Sequence, residues 1–167
     1  MHASILPQIR RAESGDEPAL WEMLTFAASM TEVDPVPVAQ ASDYLASYVR
    51  GFGTREGDWG LVAERDATVI AAAWLRLGDG RRGEHAVATP TEPELAIAAR
   101  PEMRGQGVGS LLLTRLLAEA PFDAIVLSVR STNPSVRLYE RHGFETIRSV
   151  VNRVGGESLV MRRTRRA

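Results

Sequence analysis

The sequence predicts an α/β fold, and three observations carry that prediction. Strand-period and helix-period stretches alternate along the chain. One stretch, residues 94–118, reads as a strand, a glycine loop and a helix. Another, residues 133–144, reads as a short helix with both ends marked by residue type. In the first, Leu95, Ile97 and Ala99 alternate with Glu94, Ala96 and Ala98, the period of a strand. Arg100 and Pro101 end it, since proline has no amide to give a ladder. Arg104-Gly105-Gln106-Gly107-Val108-Gly109 follows. Val108, Leu111, Leu112, Leu113 and Leu116 then recur at helical spacing until Pro121. In the second, Asn133 is a capping residue and Pro134 suits a first turn. Gly143 suits a left-handed position after the last turn, with Phe144 as the apolar residue beyond.

The remaining elements follow in order. Residues 5–11 read as a first strand, with Ile5 and Ile9 apolar and Pro7 marking an edge. Ser14-Gly15-Asp16-Glu17-Pro18 starts a helix with early negative charge and an early proline. Leu20, Leu24, Ala27 and Ala28 line one face of it, with Trp21 and Met23 beside them. Residues 31–37 form a proline-rich connection, and a second helix spans about residues 39–48, ending before Gly51 and Gly53. Residues 59–64 and 68–77 make a hairpin turning at Arg65-Asp66-Ala67. In its second strand Ala71, Ala73, Leu75 and Leu77 share one face and Ala72, Trp74 and Arg76 the other. Residues 78–93 are a long polar segment expected to be mobile. Residues 123–130 form the next strand, and residues 146–153 and 158–163 close the chain as a hairpin around Gly155-Gly156. No internal repeat appears, and the expectation is a single domain over residues 1–167.

Bulk properties narrow the function. The chain has 167 residues, an ordinary globular composition and a net charge of −1. That charge gives no general argument for nucleic acid or an anionic membrane as partner. Cysteine is absent, which excludes disulfides, thiolate metal sites and a cysteine acyl-enzyme. His2, His85 and His142 have no metal-ligand spacing, so no metal is expected; His142 suits the end of its helix. No stretch has the apolar length of a membrane span and the start lacks a signal-peptide core, so a cytoplasmic protein is expected. Lysine is absent too, so every basic side chain besides histidine is arginine. The run Arg162, Arg163, Arg165, Arg166 reads as a solvated tail, with a polyanion contact as the alternative.

A glycine loop entering a helix presents free amides and a positive dipole end, which suits a phosphate or pyrophosphate. A nucleoside-triphosphate loop requires a lysine that this loop lacks. A dinucleotide fingerprint has Ser110 where its last glycine belongs, and too little chain follows for the remaining strands. The loop resembles the Arg/Gln-x-x-Gly-x-Gly/Ala loop of acyl-CoA-dependent N-acetyltransferases, matched by Arg104, Gly107 and Gly109. Asn133, Tyr139, Gly143 and Phe144 likewise resemble the second motif of the GNAT superfamily, one strand further on. The resemblance covers most of the chain, but only these two motifs are specific.

The resemblance implies a strongly twisted mixed sheet with helices on both faces, and acetyl-CoA as co-substrate. It also implies that the strands 94–99 and 123–130 splay apart to admit the pantetheine arm. The amides of Arg104, Gly105, Gln106, Gly107, Val108, Gly109 and Ser110 would hold the pyrophosphate. The backbone of Ile97 and Ala99 would pair with pantetheine beside the small Ala98. Tyr139 would hydrogen-bond or protonate the departing thiolate, or else simply pack its helix. Asn133 would cap its helix, contact pantetheine, or both. Glu94 is the first candidate for the base that takes a proton from the amine; Glu92, Glu64, Asp58 or water are alternatives. Glu32, Asp34, Trp74 and Arg76 are nominated for the acceptor pocket, Arg76 also for a substrate carboxylate.

The expected activity is acetyl transfer to a primary amine, on a small molecule or on a protein or peptide. It proceeds by direct attack in a ternary complex. The alternatives are a CoA-binding sensor or interaction module without catalysis, or a different acyl group. Nucleic acid and membrane are not expected as partners, and a homodimer paired through the closing strands is open.

Overall fold

The computed structural model describes residues 6–80, 87–152 and 154–165. Ile5, His2, His85 and Arg166, and residues 81–86 of the expected mobile segment, lie outside the described residues. The strands are β1 (Gln8–Arg11), β2 (Trp59–Arg65), β3 (Thr68–Arg76), β4 (Glu94–Ala99), β5 (Ala124–Arg130), β6 (Glu145–Val151) and β7 (Glu157–Thr164). The helices are α1 (Glu17–Ala27), α2 (Pro35–Ala41), α3 (Asp43–Ala46), α4 (Val108–Glu119) and α5 (Ser135–Arg141). The strands form one mixed sheet in the order β1-β2-β3-β4-β5-β7-β6. The α/β fold class expected from the sequence is the one observed. The chain divides into two compact units, neither continuous in sequence, and strands β3 and β4 run from one into the other.

The first unit spans Met1–Leu75 and Ala96–Ala120. Strands β2 and β3 are antiparallel and turn at Asp66 and Ala67, both left-handed with φ of 51° and 60°. A two-residue hairpin turn needs that backbone to match the strand twist. Arg10 on β1 donates to Asp16 at 2.8 and 2.7 Å and to Glu64 on β2 at 2.7 Å. Asp16 also accepts the Glu13 amide at 2.8 Å. This fixes the short turn that launches α1. The core packs α1 through Leu20, Trp21, Met23 and Leu24 against Val49, Phe52, Ala72, Trp74 and Ala96.

Three helical details differ from expectation. Ala27 is exposed, because the buried stripe of α1 runs through Leu20, Trp21, Met23, Leu24 and Thr25. The expected helix 39–48 is two helices. Pro35 and Pro37 sit in the first turn of α2, where a missing N–H costs nothing. Ser42 then breaks the helix and its hydroxyl accepts the Leu45 amide at 3.2 Å, capping α3. In α4 the buried stripe is Val108, Leu112, Leu113, Leu116 and Leu117, which turns Leu111 outward at 45% exposure.

The second unit spans Arg76–Leu95 and Pro121–Ala167. Strand β5 runs parallel to the start of β4, with Glu94 opposite Val126. It runs antiparallel to β7, which pairs β6. The Gly78 amide donates to Thr89 O at 2.9 Å, closing the segment after β3. The first two arginines of the run are no solvated tail. Arg162 and Arg163 belong to β7; Arg162 pairs with Glu92, and Arg163 Nε donates to His142 O at 2.9 Å. The sheet pattern consumes these two because β7 sits between β5 and β6. Strand β6 is exposed along its whole length, with Ile147, Val150 and Val151 among its outward side chains.

Candidate active site

The residues singled out in the sequence fall in both units. In the first, β4 ends at Arg100, whose amide donates to Ile70 O at 2.9 Å. Its side chain donates to Val69 O at 3.0 Å and pairs with Glu22 at 2.7 Å. That clamp sets the direction in which the chain leaves the sheet. A short turn, Pro101–Met103, buries Met103 and leads into the glycine loop.

Arg104, Gly105, Gln106 and Gly107 are all exposed. Gly105 and Gly107 hold φ of 75° and 80°, a backbone that L side chains rarely adopt. Gly107 is the residue before α4, and no side chain caps that helix. Helix geometry leaves its first amides, from Val108 onward, without partners inside the helix. A Cβ built at Gly105, Gly107 or Gly109 meets nothing within 4 Å. The loop is therefore an open run of backbone donors at the positive end of a twelve-residue helix. Gln106 does not point its amide at that space; Nε2 donates to Glu102 O at 3.0 Å. Ile97, Ala98 and Ala99 are half-buried, whereas Leu95 and Ala96 are buried. The expected core face is thus closed at Leu95 and already open at Ile97.

In the second unit, α5 carries Tyr139, and Asn133 lies just before its start. Asn133 Oδ1 accepts the Ser135 amide at 2.8 Å, so the side chain does hold the start of the helix. Gly143 has φ of 89°, and the Phe144 amide returns to Tyr139 O at 3.1 Å, closing the helix as the residue pattern requires. Phe144 meets the Tyr139 ring edge-on, with centroids 6.0 Å apart. Tyr139 is 8% exposed, and burial pushes its phenol up to about 12. The group stays protonated throughout the neutral range.

Glu94 is 3% exposed, so this carboxylate at a strand start is not solvated. Arg76 is 2% exposed, which removes it from the open wall of a pocket. Trp74 leaves the expected wall as well. It is a core side chain whose Nε1 donates to Tyr48 O at 2.9 Å. Glu32 and Asp34 are exposed before α2, Glu32 accepting the Thr31 amide at 3.1 Å. Among the alternative bases, Glu64 is held by Arg10 and Glu92 by Arg162, while Asp58 accepts the amides of Gly53 and Arg55. Sequence reasoning missed Arg100 and Arg65. Arg65 lies with NH1 3.8 Å from Met103 Sδ, at the entrance to the glycine loop, and its Nε is buried without a hydrogen bond. Only strand register could have revealed either.

A family model described as the acetyltransferase (GNAT) family matches residues 19–144. Among solved structures, a GNAT-family acetyltransferase from Streptococcus pneumoniae is 20% identical. It matches with a TM-score of 0.69 over 95% of this chain and 99% of that one. A ribosomal-protein-alanine N-acetyltransferase from Brucella melitensis is 26% identical, with a TM-score of 0.65 over 95% and 99% of the two chains. The Salmonella typhimurium protein yncA, solved with its cofactor acetyl-CoA, is 24% identical, with a TM-score of 0.66 over 96% of each chain. Among the curated proteins compared, none matches. The neighbours show a shared fold, and the family model spans most of the chain, from α1 to Phe144. The chain belongs to the GNAT family of acetyltransferases and is an acyltransferase built on that family's mixed α/β sheet.

Proposed function

We propose that this chain is a single catalytic domain, residues 1–167, that transfers the acetyl group of acetyl-CoA to a primary amine by direct attack in a ternary complex. The observation that carries the reading is the glycine loop: two left-handed glycines, open space above them, and an uncapped helix start behind. Those features suit a pyrophosphate and serve no packing purpose. The amides from Arg104 to Ser110 would grip it, and the backbone of Ile97 and Ala99, beside Ala98, would pair with pantetheine. Asn133 would add a pantetheine contact to its capping role.

The chemistry requires a nitrogen–carbon bond to form as the carbon–sulfur bond breaks. The amine loses a proton to Glu94, directly or through water, and the thiolate leaves as CoA. Tyr139 would stand at the sulfur. Burial keeps the phenol protonated, so Tyr139 would have its proton in place to offer the developing thiolate as a hydrogen bond. Absence of cysteine supports direct attack over an acyl-cysteine route. Glu32 and Asp34, exposed and acidic, would meet a cationic acceptor as it arrives. Cytoplasmic location and pairing of two copies along β6 complete the reading.

Thiol release tests it: purified protein with acetyl-CoA and a panel of amines. The Brucella melitensis neighbour's name puts an alanine-ended peptide in that panel, beside a polyamine, an aminoglycoside and a lysine peptide. The chain has no lysine, so acetyl found on a lysine peptide is not self-modification. Turnover of one amine class supports the reading. Tight CoA binding without turnover of any class would favour a sensor.

A further inference from the structure

The nominated pocket residue Arg76 and the candidate base Glu94 are the buried charges that the proposed chemistry does not yet connect. Ala72 and Trp74 on β3 share a core with Ala96, and Ala98 packs against it. Strand alternation then places Arg76 and Glu94 on that same sheet face. The Arg100 amide donates to Ile70 O, which sets the register between the neighbouring strands β3 and β4. Counting six residues forward along β3 and six back along the antiparallel β4 from that pair brings Arg76 opposite Glu94. Cross-strand partners carry their Cβ atoms about 5 Å apart. Neither residue stands without an interaction.

We infer that Arg76 is the positioning residue of Glu94: its guanidinium faces the carboxylate across the sheet, holds it ionised and fixes the rotamer from which it accepts the amine proton. This rests on the reading of Glu94 as the base. An isolated carboxylate this buried would favour its protonated form, which cannot accept a proton. An opposite charge across the strand restores the ionised form. The other charged groups of this unit near the row are already engaged or set apart. Opposite Glu94 on β5 is the apolar Val126, and beyond it on β7 lies Arg162, which is bound to Glu92. Glu145 follows on β6, exposed and opposite Arg162. Asp79 lies beyond the end of β3 and is exposed.

The test is a carboxyl-carbon NMR titration of the full chain labelled at glutamate, with the Glu94 signal identified by its loss in E94Q. In R76M the Glu94 midpoint should rise by about one pH unit or more, and in R76K it should stay with the wild type. The acid limb of kcat/KM, measured with whichever amine of the panel turns over, should move upward in R76M by the same amount. A merely structural arginine would leave that limb in place. An unmoved midpoint in folded R76M overturns the inference and leaves Glu94 free to be the base. Full turnover by E94Q overturns the base, while the midpoint still decides the pairing. Should R76M fail to fold, the double variant R76M/E94Q decides. Removing both charges leaves no lone buried ion, so the double variant should melt above R76M. A double variant no more stable than R76M overturns the pairing.

Discussion

Tyr139 makes the sharpest residue-scale prediction. Its phenol is pushed up to about 12 by burial, so the folded state holds that proton more tightly than the unfolded chain does. Stability from this group is complete below pH 10 or so and is lost as pH rises toward 12. Tyr139→Phe should flatten that alkaline loss and remove the late-ionising phenol from an ultraviolet titration. It should also slow turnover by about tenfold to a hundredfold with little change in CoA affinity, as loss of a transition-state hydrogen bond does. Equal rates would leave Tyr139 a packing residue against Phe144. Gly109 makes the complementary prediction for the donor. Both have open space at the Cβ, but Gly109, unlike Gly107, lies outside the left-handed region. Gly109→Val therefore adds bulk where the pyrophosphate would sit without straining the fold, and valine's helix propensity is no worse than glycine's. CoA affinity should fall at least about tenfold with the melting point unchanged or higher; undiminished affinity would remove the pyrophosphate assignment. The residue scale also marks where the sequence stopped being legible. Tyr139, Asn133 and the loop glycines could be picked out because local rules, caps and left-handed turns, determine them. Trp74 and Arg76 could not be placed, because their period said only which face they share. Whether Trp74 was core or pocket depended on the packing of Phe52 and α1 in the same core.

At the scale of the element, boundaries set by local chemistry came through best. Glu94–Ala99 is a strand with the bounds its alternation predicted, and the turn at Asp66 and Ala67 falls within the expected Arg65-Asp66-Ala67. Helix α2 was misjudged because its two prolines read as a connection, although the first turn of a helix accepts both. The start of α1 depends on an ion pair between residues six apart, which neither helix nor strand period displays. Arg10 holds Asp16 by hydrogen bonds, and this keeps the Asp16 carboxyl below the usual carboxylate range. Its contribution is present above the unfolded value near 3.9 and is lost as pH falls through the lower folded value. Asp16→Ala should cost about 2 kcal/mol at neutral pH, a drop of roughly 5 °C in melting temperature, and the difference from wild type should shrink in strong acid. A gap that persists unchanged at low pH would assign the loss to packing rather than to the ion pair.

For the whole molecule, the alternation of elements along the chain was enough to identify the fold class, and two motifs were enough to suggest the family. An exposed sheet edge is the surface feature that bears on self-association. Strand β6 ends the sheet with exposed Ile147 and Val151, and such an edge is a template for another strand. Sedimentation should find a dimer, and Ile147→Arg should yield a monomer that still binds CoA; a wild-type monomer at working concentration would remove β6 pairing from the account. The central claim, an acyl-CoA donor seated on the glycine loop, is tested most directly by thermal melting of the purified protein with acetyl-CoA, CoA, ATP or NAD, one at a time. A ligand that binds only the folded state adds roughly 2.7 kcal/mol at about a hundred times its dissociation constant. The account predicts a raised midpoint with acetyl-CoA and CoA and none with ATP or NAD. No shift with either CoA species, or a shift with a nucleotide instead, would contradict it.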